Sequence, residues 1–138
     1  MNIKCYGIGT DLVEINRIEQ LLMRHPKRFI EKILTPKEQI AFSKAPYPAR
    51  WLAKRWAAKE AVAKALGVGI GAQCYFKDIE ISKTPLGQPI AQYHGSLSQT
   101  NSNQNFTIHL SLTDEKLWAL AYCVIFMESQ AEVDYPRI

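Results

Sequence analysis

Between Arg55 and Gly71 the chain runs RWAAKEAVAKALGVGIG, an alanine-rich stretch that closes on three glycines. Alanine is the strongest helix former and leaves a helix face with little side-chain bulk. The segment therefore predicts a helix over about Arg50 to Leu66 with space above one face, where another chain or a ligand can come close. Gly67 suits the left-handed position just past a helix end, and Gly69 and Gly71 let the following loop bend toward whatever occupies that space. A plain buried rod needs no charge, yet Glu60 and Lys64 stand one turn apart on the face shared with Ala53 and Ala57, flanked by Trp56 and Lys54. One account is a solvated i,i+4 ion pair worth about 0.2–0.5 kcal/mol. The other is a functional pair set among methyl groups. The glycines also resemble a phosphate loop, but they follow a helix instead of joining a strand to one, and no Gly-Lys-Ser/Thr is present.

The flanking sequence supplies both helices and strands. Ile3 to Ile8 reads as a short strand interrupted by Gly7 and Gly9, and Ile15, Ile18, Leu21 and Leu22 mark an amphipathic helix that stops at Pro26. Thr35-Pro36-Lys37-Glu38 is a capping box with proline at the first helical position, opening a short helix over about Pro36 to Lys44. Past the glycines, Phe76 to Ser82 alternates as a strand, Pro85 to Pro89 turns, and Ile90 to His94 returns as its hairpin partner. Ser96 to Asn105 is polar, a short surface helix or a loop. Phe106, Ile108, Leu110 and Leu112 face one side of a strand while Thr107, His109, Ser111 and Thr113 face the other, and a turn at Thr113 to Lys116 leads into Leu117 to Met127. Helices gather in the first half and strands in the second, which argues an α+β fold with helices packed on a small antiparallel sheet. One domain over residues 1–138 is expected, with the tail after about residue 128 loose.

A chain of 138 residues has little interior for a deep pocket, so a ligand site shared with a neighbouring subunit is favoured. Cys5, Cys74 and Cys123 are odd in number and form no CxxC pair, which suggests neither a disulfide framework nor a zinc site. The N-terminus lacks the apolar core of a signal peptide and no run is long enough to cross a bilayer. The chain is therefore expected to be soluble and cytoplasmic, with no membrane partner. The net charge of +4 favours an anionic partner: nucleic acid, a phosphorylated cofactor or an acidic protein.

Asp11 sits where the first strand gives way to the first helix, in Gly9-Thr10-Asp11-Leu12-Val13-Glu14. Asp-x-x-Glu is an N-cap pattern, and capping alone would explain it. A carboxylate at the end of a glycine-bearing strand can also project toward a ligand. Asp11 and Glu60 together offer two hard oxygens, which is what Mg²⁺ takes from a protein when phosphates and water complete its octahedron.

GIGTDLVEINRI near the start and WLAKRWAAKEAVAKALGVGI in the middle, with LGQP and IHLSLTDE following in order, resemble the holo-(acyl carrier protein) synthase family of short bacterial 4′-phosphopantetheinyl transferases. The similarity spans Gly7 to about Val124. It implies the 4′-phosphopantetheinyl transferase fold and transfer of the 4′-phosphopantetheine arm of coenzyme A to a serine of apo acyl carrier protein, releasing adenosine 3′,5′-bisphosphate. It also implies a homotrimer with the coenzyme between subunits. Carried over by motif, Asp11 and Glu60 are the Mg²⁺ ligands and Lys64 lies at the pyrophosphate. Phosphoryl transfer needs positioning and charge stabilisation more than covalent help, so this set is chemically sensible. The serine proton could pass to Asp11, Glu60 or a metal-polarised water. The chain departs from the family pattern at Val68, where threonine is usual, at Gln88, where lysine often precedes the proline, and at Thr113-Asp114, where many members have Ser-His.

Under the same resemblance, charge and facing add further candidates. Arg17 and Arg24 share a face of the first helix, with Arg28 just beyond, and together they suit docking of an acidic carrier, the alternative being solvated surface charge. Arg50 and Arg55 flank the start of the central helix and suit the coenzyme's 3′-phosphate, Gly67 and Gly69 let the loop reach the coenzyme, and His109, on the polar face of its strand with Ser111, is a candidate contact to the coenzyme's phosphate groups, the alternative being a merely hydrogen-bonded strand histidine. A rival reading is a nucleic-acid-binding domain, from a pI near 9.0 and from Trp51 and Trp56 interleaved with Arg50, Lys54 and Arg55. Tryptophans five apart on a helix are better explained as core, and the expectation is no nucleic-acid partner.

Overall fold

A computed structural model of the chain describes residues 2–99 and 104–129. The elements run β1 (Asn2–Glu14), α1 (Ile15–Arg24), α2 (Pro26–Ile33), α3 (Pro36–Ser43), α4 (Pro48–Ala65), β2 (Ile79–Lys83), β3 (Pro89–Tyr93), β4 (Gln104–Asp114) and β5 (Trp118–Ser129). β5 is the centre of a three-stranded antiparallel sheet in the order β1-β5-β4, and β2 and β3 form a separate antiparallel hairpin. The α+β expectation holds, with helices filling the interval between the first strand and the last four. The tail expected after residue 128 falls almost wholly outside the described residues, as does part of the 96–105 stretch, of which Ser96–Gln99 forms a 3-10 turn and 104–105 open β4.

α4 lies across β1 and β5. Its alanines 53, 57, 58, 61, 63 and 65 are buried, together with Val13 of β1 and Ala119, Ala121, Cys123 and Ile125 of β5. The space above the alanine face is therefore filled by the chain's own sheet, not left open for a partner. The fit is close because β1 offers glycine there. A Cβ placed on Gly9 would fall inside the Ala61 carbonyl oxygen and 2.8 Å from the Ala65 nitrogen, and one on Gly7 would meet the Ala65 carbonyl. Gly7 and Gly9 thus do not interrupt the strand. They are the places where helix backbone rests on strand backbone, and β1 continues to Glu14 after a register shift between Cys5 and Gly7.

Pro26 stops α1, as expected, but it also starts α2, because a proline at the first helical position loses no hydrogen bond. The Thr35–Glu38 capping box forms, with Glu38 N–H donating to Thr35 Oγ1 at 3.3 Å and Thr35 N–H to Glu38 Oε1 at 2.9 Å. The strand expected from Phe76 begins at Ile79, since Phe76–Asp78 is a 3-10 turn in which Asp78 accepts the Tyr75 N–H. Trp56 packs against Phe29 and Phe76, and Trp51 against Phe42, so both tryptophans belong to the core. Among the described residues no helix is long and apolar enough to cross a membrane.

Candidate active site

Asp11 lies on the α4-facing side of β1, two residues beyond Gly9 and in register with Ala121. It is not a helix cap: α1 begins at Ile15, and its N-cap residue Glu14 makes no side-chain cap. The glycine seam brings this part of β1 against α4 and so brings Asp11 toward Glu60. Burial pushes the Asp11 carboxyl above its ordinary range, against the pull of Lys64 and Arg17. Burial likewise raises Glu60, and the Asp11 charge raises it further. Asp11 Oδ2 is buried without a hydrogen-bond partner, a costly state for a carboxylate oxygen unless something completes it.

Lys64 reaches across to the strand, its Nζ donating to the Thr10 carbonyl at 2.9 Å and lying 3.4 Å from Asp11 Oδ1. Among the described residues no Glu60–Lys64 contact within 4 Å occurs, so the i,i+4 pair is not what these charges form. Arg17 is exposed on α1, with its guanidinium 6.0 Å over the Trp56 ring and its charge drawing both carboxyls down. α4 ends in a Schellman motif: Gly67 N–H donates to the Lys64 carbonyl and Val68 N–H to that of Ala63. Gly67 and Gly69 take φ of 89° and 68°, and a side chain at 67, 69 or 71 would meet nothing within 4 Å, so this loop borders open space.

A cleft of about 440 Å³ opens between α3, the start of α4 and β2, lined in part by Lys37, Lys44, Trp51, Arg55, Ser82 and Lys83. Arg55 is only 4% exposed there, its guanidinium 4.5 Å over the Trp51 ring. Burial and then the nearby Lys54 and Arg55 charges lower the pKa of Lys83 against the pull of Asp114, and Glu38 and Glu80 also line the cleft. Lys44 and Lys83 were not legible as a cluster, since their elements meet only in the fold. Arg50 turns away from the cleft. It donates to Asp114 Oδ2 at 2.7 Å and to the Glu115 and Lys116 carbonyls, pinning the β4–β5 turn. Asp114, a departure from the family pattern, thus has a partner in this chain, and Lys54 lies 3.9 Å from its other oxygen. His109 is exposed on the sheet face opposite α4, edge-on to Phe126 at 5.5 Å, so one chain alone does not bring it to Asp11 and Glu60. Arg24 and Arg28 are exposed at the α1–α2 junction, where Leu21, His25, Arg28, Phe29 and Lys32 line a hollow of about 190 Å³.

Residues 7–123 match the family model of the 4′-phosphopantetheinyl transferase superfamily, to which the chain belongs. Within it, the chain is a member of the holo-(acyl carrier protein) synthase family of enzymes. It is 43% identical to a holo-[acyl-carrier-protein] synthase of Dechloromonas aromatica, over 87% of this chain and 96% of that one. Its fold is similar to the crystal structure of the Neisseria meningitidis holo-[acyl-carrier-protein] synthase, with 40% identity, a TM-score of 0.80 and coverage of 88% and 98%. It is also similar to that of the Helicobacter pylori holo-[acyl-carrier-protein] synthase in complex with coenzyme A, with 33% identity, a TM-score of 0.75 and coverage of 86% and 98%.

Proposed function

We propose that this chain transfers 4′-phosphopantetheine from coenzyme A to a serine of an apo acyl carrier protein, with adenosine 3′,5′-bisphosphate as leaving group and Mg²⁺ at Asp11 and Glu60. The observation that carries the reading is the carboxylate pair itself: two half-buried acids with raised pKa, and one buried oxygen without a partner. Among the described residues no cluster of three or more metal-ligating side chains occurs, and the reading draws on Asp11 and Glu60 alone. That suits Mg²⁺, which keeps water and phosphate oxygens in its shell. When bound, the metal supplies charge stabilisation at the pyrophosphate. Lys64, already at the strand end beside Asp11, adds a second cation there. The serine oxygen forms the new bond to phosphorus as the bond to the bridging oxygen breaks. The serine proton goes to Asp11, Glu60 or a water held by them.

The cation cluster of Arg55, Lys44 and Lys83 supports 3′-phosphate binding in the cleft beside α4, and Arg50, committed to Asp114, is not part of it. The sheet face away from α4 leaves Ile8, Leu12, Trp118, Leu120 and Tyr122 exposed, an apolar patch that a second copy would cover. We place the homotrimer contact there, which would carry His109 toward a neighbour's coenzyme. Free thiols at Cys5, Cys74 and Cys123 fit a reducing cytoplasm. Mass spectrometry tests the reading: an apo carrier incubated with coenzyme A should gain the phosphopantetheine mass with Mg²⁺ and not with chelator, and the enzyme should run as a trimer under native conditions. No gain across several apo carriers rejects it.

Carrier docking is assigned to Arg17, Arg24 and Arg28 around the α1–α2 hollow, whose apolar floor and cationic rim suit an acidic amphipathic helix. Arg24→Glu should raise the KM for carrier several-fold and leave the KM for coenzyme A unchanged. Arg17→Glu should raise it too and also lower kcat, because Arg17 balances the Asp11 and Glu60 charges. Steady-state kinetics in both substrates, repeated at higher salt, separate the cases. Insensitivity to both charge reversal and salt returns these arginines to solvated surface.

A further inference from the structure

Lys59 has no exposed surface, a rare place for an ammonium. Its Nζ lies 2.6 Å from Glu38 Oε1 and 2.6 Å from the Ile33 carbonyl at the end of α2. Glu38 is as deeply buried. Its Oε1 also accepts the Thr35 N–H and its Oε2 accepts the Ile81 N–H at 2.9 Å, so one carboxylate ties the α2–α3 junction, α4 and β2 together. A capping box needs only the Thr35 contact. A buried ion pair stabilises little compared with a well-packed apolar pair, so bulk stability is a weak reason for it, whereas fixed geometry is a strong one.

The element that needs fixing is α4. Against β1 its buried contact is alanine on glycine, and Lys64, which reaches the Thr10 carbonyl, is half exposed and holds only the rim of that seam. Lys59 supplies a buried key from the other side. Arg55, one turn earlier, is lowered in pKa by burial and supported by the same Glu38 charge, so two cations of one helix face lean on that carboxylate, with Glu80 adding to Lys59. Glu60 follows Lys59 directly. With side chains at about 5–6 Å from the helix axis, a rotation of about 10° moves a carboxylate by about 1 Å. That is enough to spoil a positioned site.

We propose that Glu38 and Lys59 are positioning residues whose buried pair fixes the rotation of α4 on β1 and so holds the Glu60 carboxylate beside Asp11. The proposal rests on the reading of Asp11 and Glu60 as the metal pair. Lys59→Met removes the ammonium and fills its volume; Glu38→Gln keeps the shape and removes the charge. Each is compared with wild type well below its own melting temperature. Mn²⁺ binding in the presence of coenzyme A, followed by electron paramagnetic resonance, should weaken by about 10–100-fold, and kcat should fall within the same range. The KM for carrier should change by less than the metal affinity, since Arg17, Arg24 and Arg28 lie on α1 and at the start of α2, away from its Ile33 end, and added metal should restore part of the turnover. Wild-type Mn²⁺ affinity and wild-type turnover per folded molecule, with only the melting temperature lowered, would overturn the proposal. So would failure of both variants to fold, which would make the pair a requirement of the whole domain. A wild-type protein that neither binds Mn²⁺ nor transfers would sink the underlying reading instead.

Discussion

Asp11→Asn and Glu60→Gln should each lower kcat/KM for transfer by on the order of 10²–10³-fold, the scale of losing one preorganised electrostatic group, while the metal-free protein melts at or slightly above the wild-type temperature. The sign of the stability effect follows from the raised carboxyl pKa values. An acid whose folded pKa lies above its unfolded value binds its proton more tightly in the folded state, so stability falls as pH rises through the window between the two values. Once the pH is above both folded values the carboxylates are ionised and that cost is fully present. An amide carries no charge and removes it. For Asp11→Asn the gain is reduced by loss of the Lys64 contact, a modest term because the Lys64 side chain is half exposed. Below the unfolded carboxyl pKa the advantage of both variants should vanish. Thermal unfolding at neutral and acid pH checks this. Mg²⁺ added to coenzyme A should raise the melting temperature of the wild type beyond the value with coenzyme A alone, and that of neither variant beyond it, because only a ligand bound to the folded state shifts unfolding. Full activity with a lowered melting temperature would make these residues structural.

What could be read beforehand was whatever local chemistry controls. The Thr35–Glu38 box, the left-handed helix end at Gly67 and the hairpin pairing each depend on residues close in sequence, and each forms, the hairpin with its first strand starting at Ile79 instead of Phe76. The misreadings share a different cause. Glycine is a poor strand residue, so Gly7 and Gly9 suggested a broken strand, yet a close approach from α4 outweighed that propensity. The alanine face likewise described the shape of α4 and not its neighbour. Arg50 suits a phosphate by type and place, and the fold pairs it with Asp114, 64 residues away, a contact that no local pattern signals. Lys59 carried a faint signal, a charge on the same helix side as Arg55, Val62 and Ala63, all of them buried. Its partner had already been used to explain a helix cap, and nothing local required Glu38 to serve twice.

Gly9→Ala should cost about 3 kcal/mol or more, at or beyond the upper end of ordinary overpacking, and lower the melting temperature by roughly 10 °C for a domain of this size. Overpacking in a core is usually relieved by rotating side chains. Here the added methyl meets the carbonyl of Ala61 and lies 2.8 Å from the amide nitrogen of Ala65, both backbone atoms of α4. Relief requires lifting the helix from β1. Ala61→Gly should therefore fail to rescue Gly9→Ala, because the obstructing atom remains in glycine. Gly71→Ala is the control: its Cβ would meet nothing within 4 Å and its φ is not positive, so a change within about 0.5 kcal/mol is expected. Activity adds a second readout. Asp11 lies two residues past Gly9 on the same side of β1, so separating strand from helix should also separate the two carboxylates. The surviving folded Gly9→Ala protein should bind Mn²⁺ weakly even at a temperature where it is fully folded. A melting temperature within about 2 °C of wild type would mean that α4 is not seated on the β1 backbone, and the reason offered for the proximity of Asp11 and Glu60 would fall with it.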